Sequence, residues 1–226
     1  MTPSETFVVA IDGPAGAGKS TVARALANRL GYNFLDTGAL YRTVALVASE
    51  KKISWDDGVR LGDLTRGLEI VFVNEGERTR ILANEMDVTD DIRASEISDG
   101  ASRVSALPDV RSGLLDLQRR VASHANVVAE GRDIGTVVFP KAQAKFFLIA
   151  NAETRAQRRA LELQAAGRPA VLEAVLAEMR ARDARDSSRA AAPLRRAEDA
   201  VEIDSSGLTP EEVLGRMIAI VRARGG

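Results

Sequence analysis

Apolar and polar positions fall along the chain in blocks that switch between strand and helix periods. Phe7-Val8-Val9-Ala10-Ile11 is a continuous apolar run closed by Asp12, the pattern of a strand buried on both faces. From about Lys19 to Leu30 the apolar positions Val22, Leu26 and Leu30 recur at helical spacing, and Gly31 stops the helix. Asn33-Phe34-Leu35 predicts a short second strand ending in Asp36. Thr37 is placed to cap a helix that turns Leu40, Val44 and Val47 toward the core. Strand, glycine-rich connection, helix, strand, helix opens an α/β fold with a parallel sheet, in which ligands bind at the carboxyl ends of the strands.

The rhythm then changes. Leu68 to Val73 and Arg78 to Ala83 alternate as strands about the turn Asn74-Glu75-Gly76-Glu77, and Met86 to Thr89 predicts a third. This antiparallel meander, roughly 68–90, reads as an inserted subdomain. Helices are predicted over about 91–106 and 109–124, separated by Pro108. Asn126 to Ala129 is another buried strand, leading into Glu130-Gly131-Arg132-Asp133, and Ala144 to Ile149 is the next. A charged helix covers 152–166. After Gly167-Arg168-Pro169 a long helix runs to about Arg189. The last strand, Ala200 to Asp204, precedes Thr209-Pro210-Glu211-Glu212, an N-cap followed by proline and, three residues on, glutamate. No internal repeat is present.

Composition narrows the chemistry. The 226 residues fit one domain with appended subdomains, and 45% hydrophobic against 28% charged residues is the balance of a soluble globular protein. With no cysteine, disulfides, thiolate metal sites and thiol catalysis are excluded. The one histidine, His124, cannot build a histidine metal site, and its place near a helix end suits capping. Met1 to Thr6 carries no leader pattern, and no apolar run reaches the roughly 18 residues of a membrane span. A cytoplasmic location is expected. A net charge of −1 gives no pull toward nucleic acid or membrane. Of 31 basic residues only Lys19, Lys51, Lys52, Lys141 and Lys145 are lysines, so positional support must decide which arginines act on a ligand.

Gly13-Pro14-Ala15-Gly16-Ala17-Gly18-Lys19-Ser20-Thr21 has the spacing G-x-x-x-x-G-K-[ST] between a strand and a helix. Glycines let successive N–H groups point inward at phosphate oxygens, Lys19 adds charge for the β- and γ-phosphates, and the Ser20 hydroxyl suits Mg²⁺. The plain alternative is a glycine-rich turn. Arg132-Asp133, directly after a strand, lies over the same sheet edge; Asp133 is either functional or a helix cap. In the long helix the apolar stripe Leu172, Val175, Leu176, Met179 continues into Asp183 and Asp186, flanked by Arg182 and Arg189. An ion-pair cluster, a helix leaving the core and the wall of a ligand cleft all fit that change.

The phosphate loop, Leu35-Asp36-Thr37-Gly38-Ala39-Leu40-Tyr41-Arg42, the stretch from Glu130 to Pro140, and Arg182-Asp183-Ala184-Arg185-Asp186 with Arg189 to Pro193 together resemble the bacterial cytidylate kinases over nearly the whole chain. The loop alone is widely shared; the second and third segments are far more specific. The resemblance implies a single three-layer α/β P-loop kinase domain over 1–226 with a central parallel sheet. Its core would be about 1–37, 125–151 and 190–226. A monophosphate-binding region with a small antiparallel β insert would cover about 38–106, and an arginine-bearing helical lid about 152–169. It implies ATP held by residues 13–21, with Mg²⁺ on Ser20. For CMP it implies Thr37 and Arg42, with Arg132 and Arg189 as further phosphate clamps. Ser102, Arg111 and Asp133 would read the cytosine edge, and Arg182 and Asp186 the ribose. Lys19, Arg132, Arg189 and the lid residues Arg155, Arg158 and Arg159 would act on the transferring phosphate.

Three positions depart from or qualify the pattern. Ser20 stands where many such kinases have glycine. Glu130 replaces an aspartate and receives no role. Asp36 suits the outer shell of Mg²⁺ or a helix cap. The implied reaction is ATP with CMP or dCMP giving ADP with CDP or dCDP, by a monomer. A P-loop kinase for another monophosphate or small metabolite is the near rival, and an ATP-binding structural module a further one. A guanine-nucleotide switch is disfavoured: Asn84-Glu85-Met86-Asp87 lacks the base-reading lysine, and Asp204-Ser205-Ser206-Gly207 follows it in the wrong order.

Overall fold

A computed structural model of the chain describes residues 6–75, 78–165 and 167–226. These form two compact units. One holds the chain up to Phe34 and again from Ala125 to Gly226, and the other is Leu35–His124. Residues 1–5, Ala166, and Gly76 and Glu77 of the predicted turn lie outside the described residues.

The first unit is built on strands β1 (Val8–Asp12), β6 (Val127–Gly131), β7 (Ala144–Ile149) and β8 (Val201–Asp204), with β2 (Asn33–Asp36) at the edge where the chain crosses to the second unit. The sheet order is β2-β6-β1-β7-β8. β1 pairs in parallel with β6, Asp12 opposite Gly131, and with β7, Asp12 opposite Phe147. Every residue of β1 and β6 is buried, as continuous apolar runs require. Helices α1 (Lys19–Leu30) and α8 (Pro210–Ala223) pack Val22, Leu26, Val213, Met217 and Val221 against Val9, Ile11, Phe146 and Leu148. Thr209 and Glu212 close α8 as the reciprocal capping box expected of that sequence. The charged helix α6 (Ala152–Ala165) and the long helix α7 (Leu172–Ser188) complete the unit. Between β6 and β7 a single π-helical turn spans Ile134–Val138.

The second unit has its own core. Helices α2 (Thr37–Glu50), α3 (Gly58–Gly67), α4 (Ser95–Val104) and α5 (Pro108–Val121) join the meander β3 (Ile70–Glu75), β4 (Arg78–Ala83) and β5 (Met86–Asp87). Leu40, Val44, Leu61, Ile81, Ile92 and Leu114 are among its buried residues.

Several predicted boundaries move, each for a local reason. Asp36, not Thr37, caps α2: its carboxylate accepts the Ala39 N–H at 2.9 Å, and Thr37 is the first helical residue. The predicted 91–106 helix is a 3₁₀ turn at Asp91–Arg93 and then α4, parted at Ala94 by an extended ψ of 146°. Pro108 opens α5 instead of standing outside it, since the first helical N–H has no partner to lose. Helix α3 has no prediction because it buries only Leu61, Gly62 and Thr65, too narrow a stripe to read.

Candidate active site

The phosphate loop connects β1 to α1, and its glycines answer to the space around them. Gly13 has φ +148°, and a Cβ there would lie 2.0 Å from the Leu148 carbonyl oxygen. Gly16 has φ +75°, and its Cβ would meet Met179 Cε at 2.8 Å. Lys19 bends back over the loop, its ammonium donating to the Pro14 carbonyl at 2.7 Å. It is buried. Burial first, then the Arg132 charge, with Arg182 adding to it, lower its pKa to about 7 against the opposing pull of Glu130 and Asp12. A lysine buried at the end of a glycine-rich loop suits an incoming polyphosphate, whose charge would favour the ammonium form. The Ser20 hydroxyl at the head of α1 donates to Glu130 Oε1 at 2.5 Å.

Facing the loop along the ends of β6 and α7 is a wall of arginines and carboxylates. Arg132 Nε lies 2.9 Å from Asp186 Oδ2. Burial alone would raise the Asp186 pKa, but the Arg132 and Arg182 charges outweigh it and hold it below the ordinary carboxylate value. Burial would likewise lower Arg132, and Asp186 outweighs that. Arg189 donates to Ala192 O at 2.6 Å and reaches Asp133 Oδ1 at 3.4 Å. The stripe on α7 therefore does turn charged: Val175 and Met179 are buried, and one turn on Asp183 and Asp186 face Arg155 and Arg132.

Helix α6 presents its three arginines differently. Arg155 is 6% exposed, and its guanidinium donates to the carbonyls of Ala15 (3.1 Å) and Ala150 (3.0 Å) and to Asp183 (2.7 Å). Arg158 donates to both the hydroxyl and the carbonyl oxygen of Ser205, at 3.0 and 2.7 Å. Ser205 passes the link on to the loop, donating to Ala17 O at 3.0 Å. Arg159 has a surface pair with Glu162, 3.2 Å away.

Thr37, Arg42, Ser102 and Arg111 belong to the second unit. Thr37 is buried at the start of α2, and Arg42 Nη2 pairs with Asp36 Oδ2 at 2.8 Å. The Arg42 Nε is buried with no hydrogen-bond partner among the described residues. Ser102 is buried on α4, its carbonyl accepting from Ser105 Oγ. Arg111 donates to the Ser105 carbonyl at 3.2 Å, with its guanidinium 5.9 Å from the Tyr41 ring centre. Asp36 is spent on the Ala39 N–H and on Arg42, so of its two readings the structure supports the cap.

Sequence reasoning missed the parts played by Glu130, Asp12 and Ser205. Glu130 has no role in the sequence pattern, yet it is 4% exposed and grips Ser20 from 110 residues away. Asp12 accepts the N–H groups of Ile134 (2.7 Å) and Gly135 (2.8 Å). Burial pushes its pKa up to about 7 despite those two bonds, with Asp133 adding to the rise. The one signal available was an acid following each of the apolar runs of β1 and β6, at the sheet edge where ligands bind.

No cluster of three or more metal-ligating side chains occurs among the described residues. Mg²⁺ in phosphoryl transfer needs less: an oxygen donor or two from the protein, the rest coming from phosphate and water. The hydroxyl of Ser20 beside the Glu130 carboxylate meets that requirement.

Comparison with known proteins accords with this geometry. Residues 9–223 match the family model described as cytidylate kinase. A curated protein named cytidylate kinase from Geobacter sulfurreducens is 54% identical over 218 residues, covering 96% of this chain and 94% of its own. Another of that name from Pasteurella multocida is 43% identical, covering 97% and 96%. The solved structure of an uncharacterized protein from Eubacterium ventriosum shares the fold, with a TM-score of 0.52 at 12% identity over 96% of this chain and 99% of that one.

Proposed function

The chain belongs to the cytidylate kinase family, and we propose from that premise that it transfers the γ-phosphoryl group of ATP to CMP and dCMP, giving ADP with CDP or dCDP. The observation that carries the reading is the buried Lys19 ammonium, hemmed by Arg132 and Arg182 beside a glycine-rich loop. A buried ammonium beside inward-pointing loop N–H groups is the arrangement that holds a polyphosphate.

The acceptor oxygen is already an anion, so no strong general base is required. Catalysis is in-line positioning with neutralisation of charge spread over the transferring group. Residues 13–21 cradle the donor phosphates, Lys19 neutralises them, and Arg132, Arg189 and an α6 arginine meet the group in transfer. Thr37, Arg42, Ser102, Arg111, Arg182 and Asp186 hold CMP together with Arg132, Asp133 and Arg189. A carboxylate at Asp133 accepts from the cytosine amino group, where the carbonyl of uracil would be repelled. Mg²⁺ accompanying ATP would be held through Ser20 with Glu130 behind it, and supplies charge neutralisation across the β- and γ-phosphates. We place the enzyme in the cytoplasm as a monomer.

The test is ADP release measured with CMP, dCMP, UMP, AMP, a shikimate-like acceptor and no acceptor. CMP and dCMP should stimulate turnover strongly and the others weakly. Preference for another acceptor would reassign the substrate. ATP binding with no acceptor-dependent ADP release would leave a nucleotide-binding module.

A further inference from the structure

Asp133 stands at the N-cap position of the π-helical turn Ile134–Val138, where an aspartate ordinarily accepts one of the unpaired N–H groups of the first turn. Its side chain makes no such bond. Its backbone carbonyl accepts from Val137 (2.9 Å) and Val138 (3.2 Å), and its carboxylate faces Arg189 instead. The capping is done from another strand. Asp12, at the end of β1, gives one oxygen to the Ile134 N–H at 2.7 Å and the other to the Gly135 N–H at 2.8 Å. These are the first two donors of the turn, and Asp12 lies 122 and 123 residues away in sequence.

Asp12 and Lys145 both pack against the turn at Gly135, Lys145 the closer. Asp12 is 3% exposed, and a Cβ added to Gly135 would come within 3.4 Å of Asp12 Oδ2 and 3.1 Å of Lys145 Cδ. Were Asp12 absent, two buried N–H groups would lack acceptors, and the nearest carboxylate on the local chain is that of Asp133 itself. The turn would then draw Asp133 in as its cap.

We propose that Asp12 is a specificity-positioning residue: by capping the turn after β6 from β1, it releases the Asp133 carboxylate to receive the exocyclic amino group of the acceptor base. This rests on the reading of CMP as acceptor. Asp12 spends both carboxylate oxygens on the N–H groups of the turn. It acts through the turn, so its removal changes which base is accepted more than how ATP is held.

Steady-state kinetics of Asp12→Asn and Asp12→Ala test this. An asparagine can accept only one of the two N–H bonds, and alanine neither. In both, the KM for CMP should rise about tenfold or more and the preference for CMP over UMP should shrink, while the KM for ATP stays within about twofold. A merely structural carboxylate would lower kcat for every acceptor equally and leave both KM values and the CMP preference alone; that result, or no change at all, overturns the proposal. Should the Asp12 variants not fold, Gly135→Ala presses on the same turn with the carboxylate intact and carries the same expectation. Wild-type protein that fails to use CMP would instead remove the activity reading, before any variant is compared.

Discussion

Asp186 is 4% exposed and lies against Arg132, so its replacement takes from a half-buried guanidinium its nearest carboxylate, leaving only the more distant charges of Glu130 and Asp183. Asp186→Asn should destabilise the protein by about 3 kcal/mol, read as a lower urea midpoint at unchanged slope. Saturating CMP should recover part of the loss by supplying the missing negative charge. The pH dependence follows from the lowered pKa. The carboxylate's contribution is complete above its ordinary value of 3.8 and is lost as pH falls through the lowered one, so wild type and variant should converge in acid. Asp12 has the opposite sign. With its pKa raised to about 7, the contribution is complete below 3.8 and is lost as pH rises through 7. Wild type should lose stability relative to Asp12→Asn as pH rises across that window, a trend that equilibrium unfolding at several pH values would follow. At Arg42, whose buried Nε awaits a partner, substitution by alanine should raise the CMP KM on the order of 100-fold and the ATP KM hardly at all. Equal rises would remove Arg42 from the acceptor site.

Helix α6 sorts its arginines by what they already hold. Arg155 braces the loop carbonyl of Ala15 with a fork that lysine cannot reproduce. Arg155→Lys should therefore weaken binding of a non-hydrolysable ATP analogue and lower the melting temperature together. Arg159 is held only by a surface pair with Glu162, which costs little to break; if it is the proposed lid arginine, its loss should show in turnover and not in stability. Arg159→Ala should change stability by no more than about 0.5 kcal/mol, yet cost turnover on the order of 10³-fold at unaltered ATP affinity. Stopped-flow turnover beside thermal melts checks both. Elements of this kind were legible in the sequence where one residue type repeats at one period, as in the buried strands β1 and β6, the arginines of α6 and the apolar-to-charged stripe of α7. Glycine and lysine spacing made the phosphate loop legible for the same reason. What escaped was any partnership across the sheet edge: Ser20 with Glu130, Asp12 with Ile134 and Gly135, Ser205 with Ala17. No local pattern encodes these, because parallel strands adjacent in space are remote along the chain. Helix α3 escaped for a different reason, its narrow buried face.

At the scale of the molecule, the apolar side chains among the described residues gather into two large cores with no member in common. One lies around Leu26, Phe146 and Met217, the other around Leu40, Leu61 and Leu114. The chain supplies one tryptophan, and it belongs to the second. Trp55 donates its ring N–H to the Ala45 carbonyl at 3.0 Å and lies so close over α4 that a Cβ on Gly100 would meet it at 2.6 Å. Its fluorescence therefore reports the packing of residues 35–124, while far-UV circular dichroism sums over both units. Separate cores allow separate unfolding, each with its own free energy. Leu61→Ala, at a fully buried position, should cost about 2–5 kcal/mol and draw the Trp55 transition to lower urea, leaving a later dichroism phase from the phosphate-loop unit. A non-hydrolysable ATP analogue, binding residues 13–21, should raise that later phase and leave the tryptophan signal where it was. Fluorescence and dichroism midpoints that move together in the variant, with and without the analogue, would instead show the two cores to unfold as one.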